Sequence, residues 1–255
     1  DGYFIAENFV RPDLLDGIEG ALDDIWSAET PNPGLHVEDL LIDGEKIIHC
    51  PHARLVEKSP EERAEIERRS FWRVSGLHFQ DERARRLYEY SGFTDIASAI
   101  FDTPATPQFS LTFGKGSRQP MHQDTYVFHV WPMQFICGVW IACEDIHPDS
   151  GPLAYCPGSH REPLHDGFDN YPQTQCRTAS EAGIQAYGRY LDDAMTRHPR
   201  REFVARKGDA LFWHGMLIHG GAPVKNETLS RRSFVIHLLP PGAARGDDVV
   251  GPFNW

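Results

Sequence analysis

The chain has 255 residues, 40% hydrophobic and 24% charged, which is the composition of an ordinary globular protein and not of a disordered one. A compact chain of this length buries about 70–75% of its unfolded surface, so it needs no disulfide or metal staple to fold. Its 25 basic and 37 acidic residues leave a net charge of −12, which disfavours nucleic acid and anionic membrane as partners.

Residues 13–28 carry Leu14, Leu15, Ile18, Leu22, Ile25 and Trp26 at helical spacing. The acids of this segment read as a solvated helix face. Asp43-Gly44, between Leu40-Leu41-Ile42 and Lys46-Ile47-Ile48, predicts a hairpin turn. Ser59-Pro60-Glu61-Glu62 is a capping box with proline at the first helical position, and predicts a helix to about Arg69. Asp81 caps a further helix that Gly92 would end, and Thr94 caps a short one to about Phe101. The first 104 residues are therefore expected to form a helical N-terminal layer.

After Pro107 the texture changes to short apolar runs punctuated by Gly and Pro. Gln108–Phe113, Tyr126–Val130, Gln134–Cys143, Leu153–Cys156, Glu202–Ala205, Asp209–Trp213 and Arg232–Leu238 read as strands, and only 180–197 as helix. Many short strands of this kind predict a sandwich or barrel. The expectation is a single domain over 1–255, mostly β with flanking helices, its β core at 105–240 interrupted by an insertion at 160–200. That insertion and residues 30–58 are long enough to shape the mouth of a site.

Five scattered cysteines, Cys50, Cys137, Cys143, Cys156 and Cys176, form no Cys-x-x-Cys and suit free thiols in a reducing compartment, so a cytoplasmic location is expected. No apolar run reaches the about 18–20 residues of a membrane span, and no signal peptide is legible.

The 13 histidines are the compositional excess, and Met121-His122-Gln123-Asp124 is where they become informative. On an extended segment His122 and Asp124 share a face and can converge on one ion, whereas on a helix they would diverge by about 200°. His219, 97 residues later at the end of Leu211–Ile218, supplies a third donor. Two imidazoles and one carboxylate leave three positions open, a donor set suited to non-haem Fe(II) and oxygen chemistry. A second His-x-Asp, His147-Pro148-Asp149, lies in a turn-like stretch and reads as structural. His129 and His214 are candidates to support the ligands, and the other nine histidines read as structural or surface.

Arg231 and Arg232 follow His219, and Arg231 with Ser233 places a guanidinium and a hydroxyl on one strand face, ready for a dicarboxylate. Alternation with Phe234, Ile236 and Leu238 favours Arg232 as the buried residue instead, so the residues alone leave the choice open.

Several further segments join this set: Gly138-Val139-Trp140-Ile141-Ala142-Cys143-Glu144, Gly151-Pro152-Leu153 with Pro157-Gly158-Ser159-His160, Gly208-Asp209-Ala210-Leu211-Phe212-Trp213-His214, and His219-Gly220. Together, in order and spacing from about residue 105 to 240, they resemble the phytanoyl-CoA dioxygenase family, which includes ectoine hydroxylase and many natural-product hydroxylases. Asp1 to about Trp26 is similar to the family's N-terminal segment. The resemblance implies a double-stranded β-helix (jelly-roll, cupin-like) core, Fe(II) as metal and 2-oxoglutarate as cosubstrate. It implies His122, Asp124 and His219 as the catalytic iron ligands, Arg231 as the cosubstrate anchor, and Trp140 as a wall of the same pocket. One departure is Gly221, where the family often has serine; Ser233 or a water would take its place.

The resemblance implies a dioxygenase that hydroxylates an aliphatic C–H with O2 and releases succinate and CO2, with desaturation or ring formation as alternative outcomes. Asp124 fills the position a halide would need, which favours hydroxylation over halogenation. Tyr126 and Phe128 share parity with the ligands and, with Trp213, are candidates to contact substrate; ordinary core packing is the competing reading. The acidic balance suits a small metabolite or natural-product intermediate better than a polyanion. Two rivals remain: a metal-dependent jelly-roll hydrolase or isomerase, and a metal-binding module without catalysis.

Overall fold

A computed structural model describes residues 1–128, 130–168, 174, 176 and 178–243. In chain order the elements are β1 (Tyr3–Ala6), α1 (Pro12–Ser27), β2 (His36–Ile42), β3 (Glu45–Pro51), α2 (His52–Val56), α3 (Pro60–Arg69), β4 (Arg73–Ser75), α4 (Glu82–Tyr88), α5 (Ser91–Phe101), β5 (Thr106–Phe113), α6 (Asp124–Phe128), β6 (Cys137–Ala142), β7 (Leu153–Tyr155), α7 (Glu181–Arg197), β8 (Arg201–Phe203), β9 (Ala210–His214), β10 (His219–Gly221) and β11 (Ser233–Leu239). No helix among the described residues is long and apolar enough to cross a membrane.

Eight strands form one antiparallel sheet in the order β1-β9-β6-β11-β5-β4-β2-β3, and β10-β7-β8 form a second. The central strands β6, β9 and β11 of the large sheet are buried on both faces, whereas its edge strand β3 is mostly exposed. Val139, Ile141, Phe212, Phe234, Ile236 and Leu238 pack against α1 through Leu15, Ile18 and Leu22. The alternate residues Trp140, Leu211, Trp213 and Val235 pack against Leu153, Tyr155 and Phe203 of the small sheet. This double cover makes every residue of β11 buried. Two facing antiparallel sheets with helices outside are the expected jelly-roll architecture.

The first 104 residues are not simply a helical layer. They contribute β1, β2, β3 and β4 to the large sheet, with β1 pairing β9 and β4 pairing β5. The local signals were read correctly where chemistry was specific. Asp43 and Gly44 form the β2–β3 turn with φ of 52° and 84°. Ser59 and Glu62 close the reciprocal capping box, and the Asp81 carboxylate accepts from the backbone of Arg83 and Ala84. Gly92 ends no helix and Thr94 caps none. α4 stops at Tyr88, and both residues lie in the first turn of α5, where the Thr94 hydroxyl donates to the Ser91 carbonyl.

The larger correction is Tyr126–Val130, expected as a strand; Asp124–Phe128 is a short helix, and residue 129 lies outside the described residues. Tyr, Val and Phe favour strands only where a pleated surface exists to receive them. Here Tyr126 packs instead against Phe168 and Tyr187, and the Thr125 hydroxyl donates to the Met133 carbonyl at 2.6 Å.

Candidate metal centre

His122 and His219 exchange backbone hydrogen bonds: His122 N–H donates to His219 O at 2.8 Å, and His219 N–H to His122 O at 3.0 Å. This antiparallel bridge sets the imidazoles side by side, with ring centres 4.4 Å apart. The extended segment ends there. Asp124 starts α6 and swings its carboxylate back, so Oδ1 lies 3.5 Å from Nε2 of both His122 and His219. The three donor atoms lie within 4.8 Å of one another. The three expected residues come together, but not on one extended face: His122 is extended, and Asp124 converges because the chain turns.

Each donor is aimed by a partner behind it. His122 Nδ1–H donates to the Pro120 carbonyl at 2.8 Å, and His219 Nδ1–H to the Leu217 carbonyl at 2.9 Å. Carbonyls only accept, so both Nδ1 atoms carry the proton and both Nε2 lone pairs face Asp124. Burial pushes the His219 imidazole down to about 4, so it is neutral at pH 7, as a ligand must be. Burial opposes the charge on Asp124, but the hydrogen bonds its oxygens accept, from His237 above all, outweigh it and hold the carboxyl well below its usual range.

Asp124 Oδ2 is engaged on its own account. It accepts from Trp213 Nε1 at 2.7 Å and from His237 Nε2 at 2.9 Å. His237, read from the sequence as structural, is therefore part of this centre. The available signal was parity: Arg231, Ser233, Val235 and His237 alternate along one face of a single strand. His214 does not support the ligands; its Nδ1 accepts from the Met216 backbone and its ring lies near His160. His129 lies outside the described residues. His147 and Asp149 form a turn, as expected, with Asp149 N–H on His147 Nδ1.

The triad lines a cavity between the two sheets together with Ser117, Gln119, Trp140, Arg231 and His237. Leu111, Phe113, Phe128, Leu153, Trp213 and Val235 complete its walls. Arg231 is 3% exposed, its Nη1 donates to the Ser233 hydroxyl at 3.0 Å, and its Nε has no partner. Burial lowers the guanidinium to about 10, still cationic at neutral pH. Arg232 turns the other way, toward α1, and pairs with Asp23 at 2.6 Å. Phe128 and Trp213 border the cavity, whereas Tyr126 does not: the helical turn sends it toward Phe168 and Tyr187, with its hydroxyl accepting from His165 N–H. Residues 30–58 do not line the cavity; they form β2, β3 and α2, at the far edge of the large sheet. No described residue of 160–200 lines it either, and Asp169 among others of that insertion lies outside the described residues.

The family model for phytanoyl-CoA dioxygenase matches residues 1–233 of this chain. The chain belongs to the phytanoyl-CoA dioxygenase family. Among relatives, it is similar to peroxisomal phytanoyl-CoA dioxygenase of Mus musculus, 35% identical over 241 residues, covering 89% of this chain and 62% of the mouse protein. It spans 64% of the length of the Rattus norvegicus enzyme, so the family match leaves part of the mammalian proteins without a counterpart here. Among solved structures it resembles AviO1 from Streptomyces viridochromogenes Tue57, with a TM-score of 0.62 and 21% identity over 96% of this chain and 92% of that one. It also resembles EctD from S. alaskensis with 2-oxoglutarate and 5-hydroxyectoine, with a TM-score of 0.62 and 18% identity over 94% of this chain and 72% of that one. At such identities the likeness speaks to the fold, and it agrees with the two-sheet architecture of this phytanoyl-CoA dioxygenase family member.

Proposed function

We propose that this chain is an Fe(II)- and 2-oxoglutarate-dependent dioxygenase that hydroxylates an aliphatic C–H of a small metabolite or natural-product intermediate. The observation that carries the reading is a single cavity holding both an aimed His-Asp-His donor set and a buried arginine with no carboxylate partner among the described residues. Two neutral imidazole nitrogens and one carboxylate oxygen fit a ferrous ion and leave positions open. His122, Asp124 and His219 would hold that ion. Arg231, with Ser233 beside it, would take the distal carboxylate of 2-oxoglutarate through charge-assisted hydrogen bonds, with Trp140 as a wall. Bound together, iron and 2-oxoglutarate supply the oxidative chemistry: O2 gives one oxygen atom to succinate, with CO2 released, and the other to the substrate.

The residues of this chain bind, aim and exclude water. Pro120 and Leu217 carbonyls hold the imidazoles in the ligating tautomer. Leu111, Phe113, Phe128, Leu153 and Val235 give apolar walls suited to an aliphatic carbon. Trp213 borders the same space, but its N–H is committed to Asp124, so it offers substrate a ring and no donor. Apart from Arg231, no described lysine or arginine lines the cavity, which supports a substrate without phosphates at the reacting end. The five free cysteines suit a reducing compartment such as the cytoplasm, where iron stays ferrous.

A hydrolase or isomerase built on the same triad, or a module that only binds metal, has no use for a buried guanidinium that a serine hydroxyl engages and no described carboxylate neutralises. One experiment separates the readings. Anaerobic Fe(II) followed by 2-oxoglutarate is expected to give the visible charge-transfer band of a chelated keto acid, and O2 then to give succinate. Absence of both overturns the proposal.

A further inference from the structure

We infer that His237 is a positioning residue that confines Asp124 to binding the metal through one oxygen. This deepens the reading of the metal centre and rests on it. Oδ1 faces both ligating imidazoles at 3.5 Å, while Oδ2 accepts from His237 Nε2 and Trp213 Nε1. A carboxylate oxygen accepts two hydrogen bonds in its plane, so Oδ2 is fully used. Its oxygen is also buried with them: Asp124, His237 and Trp213 are 1%, 2% and 3% exposed.

The count of positions gives this arrangement a purpose. A six-coordinate ion held by two imidazoles and one carboxylate oxygen keeps three positions open. A keto acid chelating through two atoms uses two of them, and O2 needs the third. If Asp124 bound through both oxygens, that third position would be lost. His237 and Trp213 prevent this by holding Oδ2 away.

His237 is itself held by packing. Its ring stacks on Phe109 at 4.5 Å and 23°, and it meets Phe128 at 4.6 Å. Nε2 points at a carboxylate and so carries the proton, which leaves Nδ1 as the unprotonated nitrogen; Nδ1 is buried with no hydrogen-bond partner. A buried polar atom left unpaired is costly. A residue kept only to fill space between two phenylalanines would be apolar, so the unpaired nitrogen marks the other nitrogen as the reason for histidine.

The test uses the whole chain. His237→Phe and His237→Leu remove the donor, and His237→Gln keeps an amide N–H. Wild-type protein is titrated anaerobically with Fe(II), and with Co(II) as a spectroscopic substitute. Loss of a partner behind a metal ligand is expected to weaken metal binding about 10–100-fold. His237→Phe and His237→Leu should show this loss, an altered Co(II) visible spectrum and a weaker 2-oxoglutarate charge-transfer band, with His237→Gln in between. A merely structural role would lower the melting temperature and leave the Co(II) spectrum of the folded protein unchanged. Wild-type affinity and spectrum in whichever donorless variant folds overturn the assignment alone. A wild-type chain that binds neither ion overturns the metal centre, and the assignment with it.

Discussion

Gly138 and Trp213 face each other across β6 and β9, and a Cβ on Gly138 would lie 2.2 Å from the Trp213 indole. The missing side chain is what lets the indole lie flat on β6 and bring Nε1 to 2.7 Å from Asp124. Gly138→Ala is therefore expected to push the indole off the carboxylate. Overpacking of this kind costs about 1–3 kcal/mol, measurable by urea denaturation, and anaerobic Fe(II) titration should show weaker binding than in wild type. Unchanged stability would mean the indole has slack that the backbone spacing does not suggest.

Arg231 and Arg232 are adjacent in sequence and opposite in role. Arg231→Ala is expected to weaken 2-oxoglutarate binding by about 1.5–3 kcal/mol, the range for a removed charged hydrogen-bond partner. Arg232→Ala removes only the surface pair with Asp23, worth up to about 1 kcal/mol. Titration of both variants with 2-oxoglutarate checks this, and the reverse order would place the anchor on the wrong residue.

Asp124→Ala removes a buried ligand and leaves the N–H groups of Trp213 and His237 without their acceptor. Iron-dependent succinate formation should fall to background, and full turnover in that variant would refute the ligand set. Stability should fall as well, by about 1–3 kcal/mol for each donor left unpaired, read from a thermal melt without metal.

Acid should destabilise the metal-free fold in a defined window. Burial lowers His78 and His214 from the ordinary 6.5 to about 4. Between those values the unfolded chain takes up protons that the folded chain refuses. The contribution of these residues is thus intact above about pH 6.5, is lost as pH falls toward 4, and levels off below. Asp124, held well below its usual range, adds a further loss at still lower pH. Urea unfolding from pH 7 to 4 should show stability falling once pH drops below about 6.5, and a flat profile would contradict it.

The centre was partly legible because its ligands sit in short local patterns. Arg-x-Ser is a statement about spacing that backbone geometry converts into shared direction, whereas His-x-Asp with a distant His named the donors but not the turn at Asp124 that brings them together. His237 shares that strand parity with Arg231 and Ser233, yet alternation could not single it out. β11 is buried on both faces, so burial distinguishes neither parity.

Tyr126 shows the opposite limit. Its propensity and parity pointed into the cavity, and the partners that turn it away, Phe168 and Tyr187, come from residues 42 and 61 positions later. The same holds for β1 and β4, which carry no strand signal of their own until their partners β9 and β5 are in view, whereas the β2–β3 hairpin announced itself through its Asp43-Gly44 turn.

What the sequence by itself determined was the donor set, its order along the chain, the capped helices and the tight turns. The helices and turns depend on chemistry within a few residues, and the donor set on one local pair and on His219, 97 residues further along. Which arginine enters the cavity, which way Asp124 turns, and which histidine stands behind it were decided by tertiary structure. Two sheets and α1 compete for the faces of one strand, and only their packing says which face holds the metal centre.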